Sequence, residues 1–179
     1  MHPSLTPHWQ KAESLRNSYL QQFAGYSAAQ LSYKPAEKEW NMLGVAQHLI
    51  KAEKATVKYV KHKLSQQKSL QPGWDHFFKI LGLKIALWLP VKYKVPAGEI
   101  HPDENLTLDQ IREEWKSIRH EMKALLDNFP EDYLNKKIFK HPLAGPMSIE
   151  QALMFWQYHL RHHMQQINRI KTSPGFPTV

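Results

Sequence analysis

The chain has 179 residues, of which 42% are hydrophobic and 22% charged, a size and apolar content that fit one domain with one core and exclude a disordered chain. It contains no cysteine, which excludes a disulfide framework, a thiolate metal site and a cysteine nucleophile, and suits a reducing compartment. The formal net charge of +8 is local: residues 51–94 carry ten lysines against Glu53 and Asp75, and the remainder is neutral.

A basic middle of this kind can meet nucleic acid, an anionic lipid surface or an acidic small molecule. All ten of its cations are lysine, whereas arginine is the better phosphate fork, so the segment reads as a solvated face and pocket rim, with no nucleic acid as partner. The N-terminal residues 1–8 lack the charged and apolar regions of a secretory signal. The longest apolar stretch, residues 77–96, is broken by Lys79, Lys84, Pro90, Lys92 and Lys94, which argues against a membrane span. Glycine-rich phosphate loops and nucleophile elbows are absent. The expectation is a soluble cytoplasmic protein whose residues 1–179 form one domain.

In chain order, a first helix is predicted over about residues 8–25, with Trp9, Leu15, Tyr19, Leu20 and Phe23 as core positions. Residues 27–39, containing Pro35, form a connection, and a second helix runs over about 42–66. Residues 68–105 are irregular, with Trp74, Phe77, Phe78, Trp88 and Tyr93 among lysines and a short helix predicted over about 75–89. A third helix follows the capping box Thr107-Leu-Asp-Gln110 and ends before Pro130. Only residues 136–141 hint at extended chain. A fourth helix follows a second capping box, Ser148-Ile-Glu-Gln151, and runs to about 171. Four amphipathic helices without a sustained strand pattern predict an all-α fold, a four-helix bundle with a basic aromatic insert between its second and third helices.

Eleven histidines invite a metal hypothesis, and helical position selects among them. At about 100° per residue, His159, His163, Ala152, Trp156, Ile170 and Gln166 share one stripe, opposite Glu150, Gln157, Arg161 and Asn168. On the second helix His48 shares a stripe with Val45, Ala52, Ala55 and Tyr59. Ala46, Ile50 and Val57 form another apolar strip on the far side, so this helix is expected to be buried twice, for which a homodimer face is one explanation. Three inward imidazoles are costly to bury, because each brings a donor and an acceptor out of water. A divalent ion such as zinc or nickel resolves this by accepting their neutral nitrogens. Two ligands at i and i+4 and a third from a facing helix leave the fourth position for water or substrate. The alternative is three core histidines, each hydrogen-bonded separately.

His162 falls at the edge of the stripe. It reads as a surface residue or a support for the site, with a base near the metal or an alternative ligand as the remaining readings. Leu160 stands where an HExxH protease carries its glutamate, and no carboxylate lies on the inward stripe, which disfavours that route of peptide hydrolysis.

Two motifs carry a resemblance. Leu31-Ser-Tyr-Lys-Pro35 with Trp40-Asn-Met-Leu-Gly-Val-Ala-Gln-His48, and His141-Pro-Leu-Ala-Gly145-Pro-Met-Ser-Ile-Glu-Gln with His159-Leu-Arg-His-His163-Met-Gln-Gln166, resemble the two signatures of the DinB/YfiT-like superfamily over about residues 10–62 and 106–171. The resemblance implies a four-helix bundle with a divalent metal, zinc or nickel, on His48, His159 and His163. It also implies thiol transferase or isomerase activity with a low-molecular-weight thiol such as bacillithiol or mycothiol, although many members have no assigned activity. An all-histidine triad leans toward the bacillithiol-transferase-like branch. Three functions follow as expectations: a metal-dependent thiol transferase acting on an electrophilic small molecule, a metal-dependent hydrolase, and a non-enzymatic, stress-related bundle that binds a ligand.

Overall fold

A computed structural model describes residues 1–71, 82, 106–142 and 144–178. Helix α1 spans Thr6–Ala24, the short α2 Ala28–Ser32, α3 Met42–Ser65, α4 Leu108–Asp127 and α5 Ile149–Lys171. Between α4 and α5 lie a single 3₁₀ turn, Glu131–Tyr133, and a hairpin of β1 (Phe139–His141) and β2 (Gly145–Met147). The hairpin is antiparallel, with Phe139 opposite Met147 and His141 opposite Gly145. The predicted helix at about 75–89, apart from residue 82, and Lys79, Lys84, Lys92 and Lys94 lie outside the described residues. None of the described helices is long and apolar enough to cross a membrane.

The helix starts follow from local chemistry. Thr107 and Gln110 form a complete capping box on α4, as do Ser148 and Gln151 on α5, so each satisfies two backbone N–H groups that would otherwise have no acceptor. Asn41 caps α3 by accepting the Gly44 N–H at 2.7 Å. The connection after α1 contains an element absent from the sequence expectation: Ser27 and Gln30 form a third capping box and nucleate α2. The extended hint at 136–141 becomes the two-stranded hairpin.

Helix α1 packs on α5, α5 on α3 and α3 on α4. The circuit closes where the Tyr19 ring of α1 meets Trp115 of α4, with centroids 5.7 Å apart. Trp9, Tyr19, Phe23, Ile149, Ala152, Trp156 and Ile167 are buried, as the sequence pattern predicts, and Leu15 and Leu20 are half-buried against the same core. Tyr19 also donates its hydroxyl to the carbonyl of Leu160 in α5 (3.0 Å). Ala46, Ile50 and Val57 are buried within the chain itself, so their strip gives no ground for a homodimer.

That second face of α3 also carries an ion pair that the sequence analysis missed. Glu53 is buried and accepts Arg119 Nε at 2.9 Å, Arg119 Nη2, and Trp115 Nε1 at 3.0 Å. Arg119 reaches Glu13 of α1 at 3.2 Å and lies over the Trp9 ring. Burial pushes the Glu53 carboxyl up, and its bonds to Arg119 and Trp115 oppose that. Removing one partner from such a pair leaves a buried charge without compensation, at about 3–5 kcal/mol. Glu53→Ala should therefore lose about that much stability in urea unfolding. The joint replacement Glu53→Met with Arg119→Met should lose far less. A single-variant loss below about 1 kcal/mol would show that water, not the pair, satisfies Arg119.

Candidate metal centre

The cap at Asn41 sets the first turn of α3, so that His48 points across the bundle toward α5. Residue Trp40, just before that cap, lays its ring 5.0 Å from the His48 ring. On α5, His159 and His163 project one turn apart from the same face. The three rings meet through their Nε2 atoms. His48 and His159 are 3.2 Å apart there, and His163 and His159 are 3.0 Å apart. One ligand nitrogen from each of these three residues lies within 4.8 Å of the other two, a grouping able to hold a metal ion. Among the described residues, no carboxylate belongs to the group. His48 and His163 are buried, and His159 is half-buried.

Proton counting tests whether an ion suits this donor set. The side chain of Gln166 places Oε1 2.7 Å from His163 Nδ1, so the neutral His163 ring keeps its proton on Nδ1, donates it to the amide, and presents a bare lone pair at Nε2. His159 Nε2 can donate toward one neighbour and not both, which leaves lone pairs facing one another. A cation accepting all three removes that repulsion. Two imidazole nitrogens on one tetrahedral zinc ion at about 2.0–2.1 Å would themselves be separated by about 3.3–3.4 Å, and the observed 3.0 and 3.2 Å lie within a few tenths of an ångström of that spacing. The residues present fit the group.

The electrostatics agree. Burial, and then the neighbouring His162, lowers the pKa of His48 to about 4. His163 is lowered to about 3 by burial first and His48 next, against the Gln166 bond. His159 is held well below the ordinary value by the enclosure of its ring and by His163 and His48. All three are uncharged at neutral pH, the form that binds metal.

Apolar rings close the surroundings. Phe155, one turn before His159, stacks on its ring at 5.1 Å and 19°, and is buried. The sequence analysis gave Phe155 no role, although its i, i+4 spacing to His159 was the available signal. Of the readings open for His162, the surface one is corrected: the residue is buried, with its ring 5.2 Å from His163 and edge-on at 84°. Helix α5 packs against both α1 and α3, so even the margin of its inward stripe is covered. Gln166, on the inward stripe of α5, holds a ring of the cluster.

An unfolded histidine titrates near 6.5, whereas in the fold His48 and His163 titrate at about 4 and about 3. Between those values the unfolded chain binds protons that the folded chain does not, so stability is full above about pH 6.5 and falls as the pH drops toward 4. Chelator-treated protein should melt at a clearly lower temperature at pH 5 than at pH 7.5. Equal melting temperatures would mean that the rings protonate without cost.

Comparison with known proteins places this arrangement. A protein of Bacillus subtilis (strain 168), uncharacterized protein YuaE, is 22% identical over 147 residues, covering 82% of this chain and 86% of the relative. The sequence profile of the DinB superfamily matches residues 11–167, a span that takes in His48, His159 and His163 and reaches from α1 into the last turns of α5. With most of its length matched, the chain belongs to the DinB superfamily.

Proposed function

We propose that this protein is a metal-dependent enzyme that transfers a low-molecular-weight thiol to an electrophilic small molecule, with zinc or nickel held by His48, His159 and His163. The observation that carries this reading is the meeting of three uncharged imidazole nitrogens without a carboxylate among them. When bound, the ion supplies Lewis acidity: with three neutral ligands it keeps its full dipositive charge, favours an anionic fourth ligand and stabilises a thiol as its thiolate at neutral pH. A soft thiolate suits zinc, and among the described residues of the cluster no carboxylate stands as a general base to assist the activation of water.

The protein's own groups have simpler tasks. Gln166 fixes the tautomer and direction of His163, as the outer partners of metal-binding histidines generally do. His162 backs the His163 ring and supports its position, which favours that role over proton transfer. Phe155 and Trp40 exclude water from His159 and His48. On the outer side of α3, Lys54 and Lys58 are exposed and suit the carboxylates of an acidic thiol such as bacillithiol.

Protein purified without a histidine tag should carry one divalent ion per chain. His48→Ala, His159→Ala and His163→Ala should each remove most of it, whereas His162→Ala should keep most, and Gln166→Ala should weaken affinity about 10–100-fold. Metal removal should abolish conjugation, and the rate should depend on whether bacillithiol, mycothiol or glutathione is supplied. Ester or amide hydrolysis lost in His159→Ala, without any conjugation, would replace this reading with a hydrolase. Neither activity over a broad panel would favour a ligand-binding bundle.

A further inference from the structure

A histidine ring on a helix turns readily about its last side-chain bond, because that torsion has only a broad, roughly two-fold preference. Each ring of a ligand set therefore needs something beyond itself to fix its plane. For His163 that is the bond to Gln166 at 2.7 Å, and for His48 it is the Trp40 ring at 5.0 Å. His159 is the central member, with Nε2 beside both of the others. Among the described residues its hydrogen-bond partners are met only at that nitrogen. Its plane is covered instead by a ring, Phe155, stacked at 5.1 Å and 19°.

Phe155 is one member of a longer row of rings. His141 lies 4.5 Å from Phe155, Phe139 lies 6.5 Å from His141, and Tyr59 lies 5.9 Å from Phe139. All of these separations fall in the range that aromatic pairs prefer. The row starts at Tyr59 on α3, passes along β1 and ends at His159 on α5. Those are the two helices that carry the three histidines. Phe139 and His141 stand two residues apart on β1, so both side chains leave the strand on one face. The hairpin holds them there: the Ala144 N–H donates to His141 Nδ1 at 3.1 Å and the Ile138 N–H to the Met147 carbonyl at 2.9 Å. Gly145 closes the turn with φ of +74°, a conformation that side chains disfavour. Phe139 and Phe155 are both buried, so the middle of the row is enclosed.

We propose that this row of rings is the spacer of the metal centre: Phe155 and His141 are positioning residues that fix the plane of His159, and Phe139 and Tyr59 tie that plane to the helix carrying His48. This rests on the metal site of the reading above and not on its thiol chemistry. His141 acts through Phe155 and has no contact with the ion in this role. The hairpin, too short to stand as a sheet of its own, then serves as a rigid insert between α3 and α5. Aromatic pairs gain from face and edge contacts that an aliphatic side chain of similar size lacks. Aromatic and aliphatic replacements at one position of the row should therefore behave differently.

The test uses the full chain, loaded with cobalt(II) as a spectroscopic probe and also free of metal. Phe155→Leu and His141→Leu should each weaken cobalt binding by the folded protein about 10-fold and change the visible bands that report its coordination geometry. His141→Phe keeps a ring against Phe155 and should retain both the affinity and the bands. Ile111→Val, a buried change on α4, which supplies no ligand, should lower thermal stability and leave the cobalt spectrum as it was. In metal-free protein, nuclear magnetic resonance should show one sharp set of His159 ring signals. That set should broaden or double in Phe155→Leu and His141→Leu, and stay sharp in His141→Phe. Where cobalt binds, unchanged bands in the two leucine variants would overturn the proposal, as would unchanged His159 signals or a His141→Phe protein as impaired as His141→Leu. If Phe155→Leu fails to fold, the comparison of His141→Leu with His141→Phe decides alone. Absence of cobalt binding by the unsubstituted protein, with His159 signals that still broaden in His141→Leu and not in His141→Phe, would reject the metal reading and leave the positioning role standing.

Discussion

Charging any one of His48, His159 and His163 would put a cation inside an apolar bundle, beside two other rings and without a carboxylate in the group to offset it. The surrounding fold is arranged around keeping them neutral. Phe155 stacks on one ring and Trp40 lies against another, while a neutral amide, Gln166, rather than an acid, anchors the third. That choice matters for chemistry. A carboxylate partner would raise imidazole basicity and bring negative charge toward any bound ion, whereas an amide orients the ring and adds no charge.

Helix α3 separates two polar clusters of opposite character. One face presents His48 to α5, and the other buries Glu53 against Trp115 and Arg119 of α4. Glu53 is only five residues from His48, yet the helical repeat turns it well away from the histidine face. The carboxylate nearest to His48 in sequence is therefore engaged by an arginine and an indole, which keeps it out of the metal-binding group. The same arginine also reaches Glu13 of α1, so the ionic cluster links three helices. Helix α3 is then packed on both sides, which steadies the backbone that carries His48.

The hairpin between α4 and α5 has an effect out of proportion to its length. Six residues in two strands are too few for an independent sheet. Their contribution is directional, since β1 carries His141 to Phe155 and Phe139 to the Tyr59 ring of α3 at 5.9 Å. Both contacts place aromatic groups alongside the histidine stripe of α3 and α5.

Local rules made much of this legible from the chain alone. Capping boxes at Thr107 and Ser148 marked two helix starts, and the 3.6-residue repeat put His48, His159 and His163 on inward stripes, because helical phase depends on spacing and not on neighbours. The motifs around Trp40–His48 and His159–Gln166 pointed to the DinB superfamily for the same reason. Which strips of α3 face which partner was not legible, because phase gives a direction without naming what lies there. Ala46, Ile50 and Val57 looked like a possible dimer face until α4 covered that side. Glu53 and Arg119 each sat inside an apolar pattern, Arg119 four residues after Trp115 and three before Met122, but their pairing spans 66 positions and exists only once α3 and α4 pack. His162 was read as marginal because a helical wheel has no neighbours, and packing on both flanks of α5 buried it. The helical repeat determined which histidines point inward; only the packing of α3 against α5 decided that their nitrogens meet at 3.0 and 3.2 Å, because distances between helices are set by the side chains that fill the space between them.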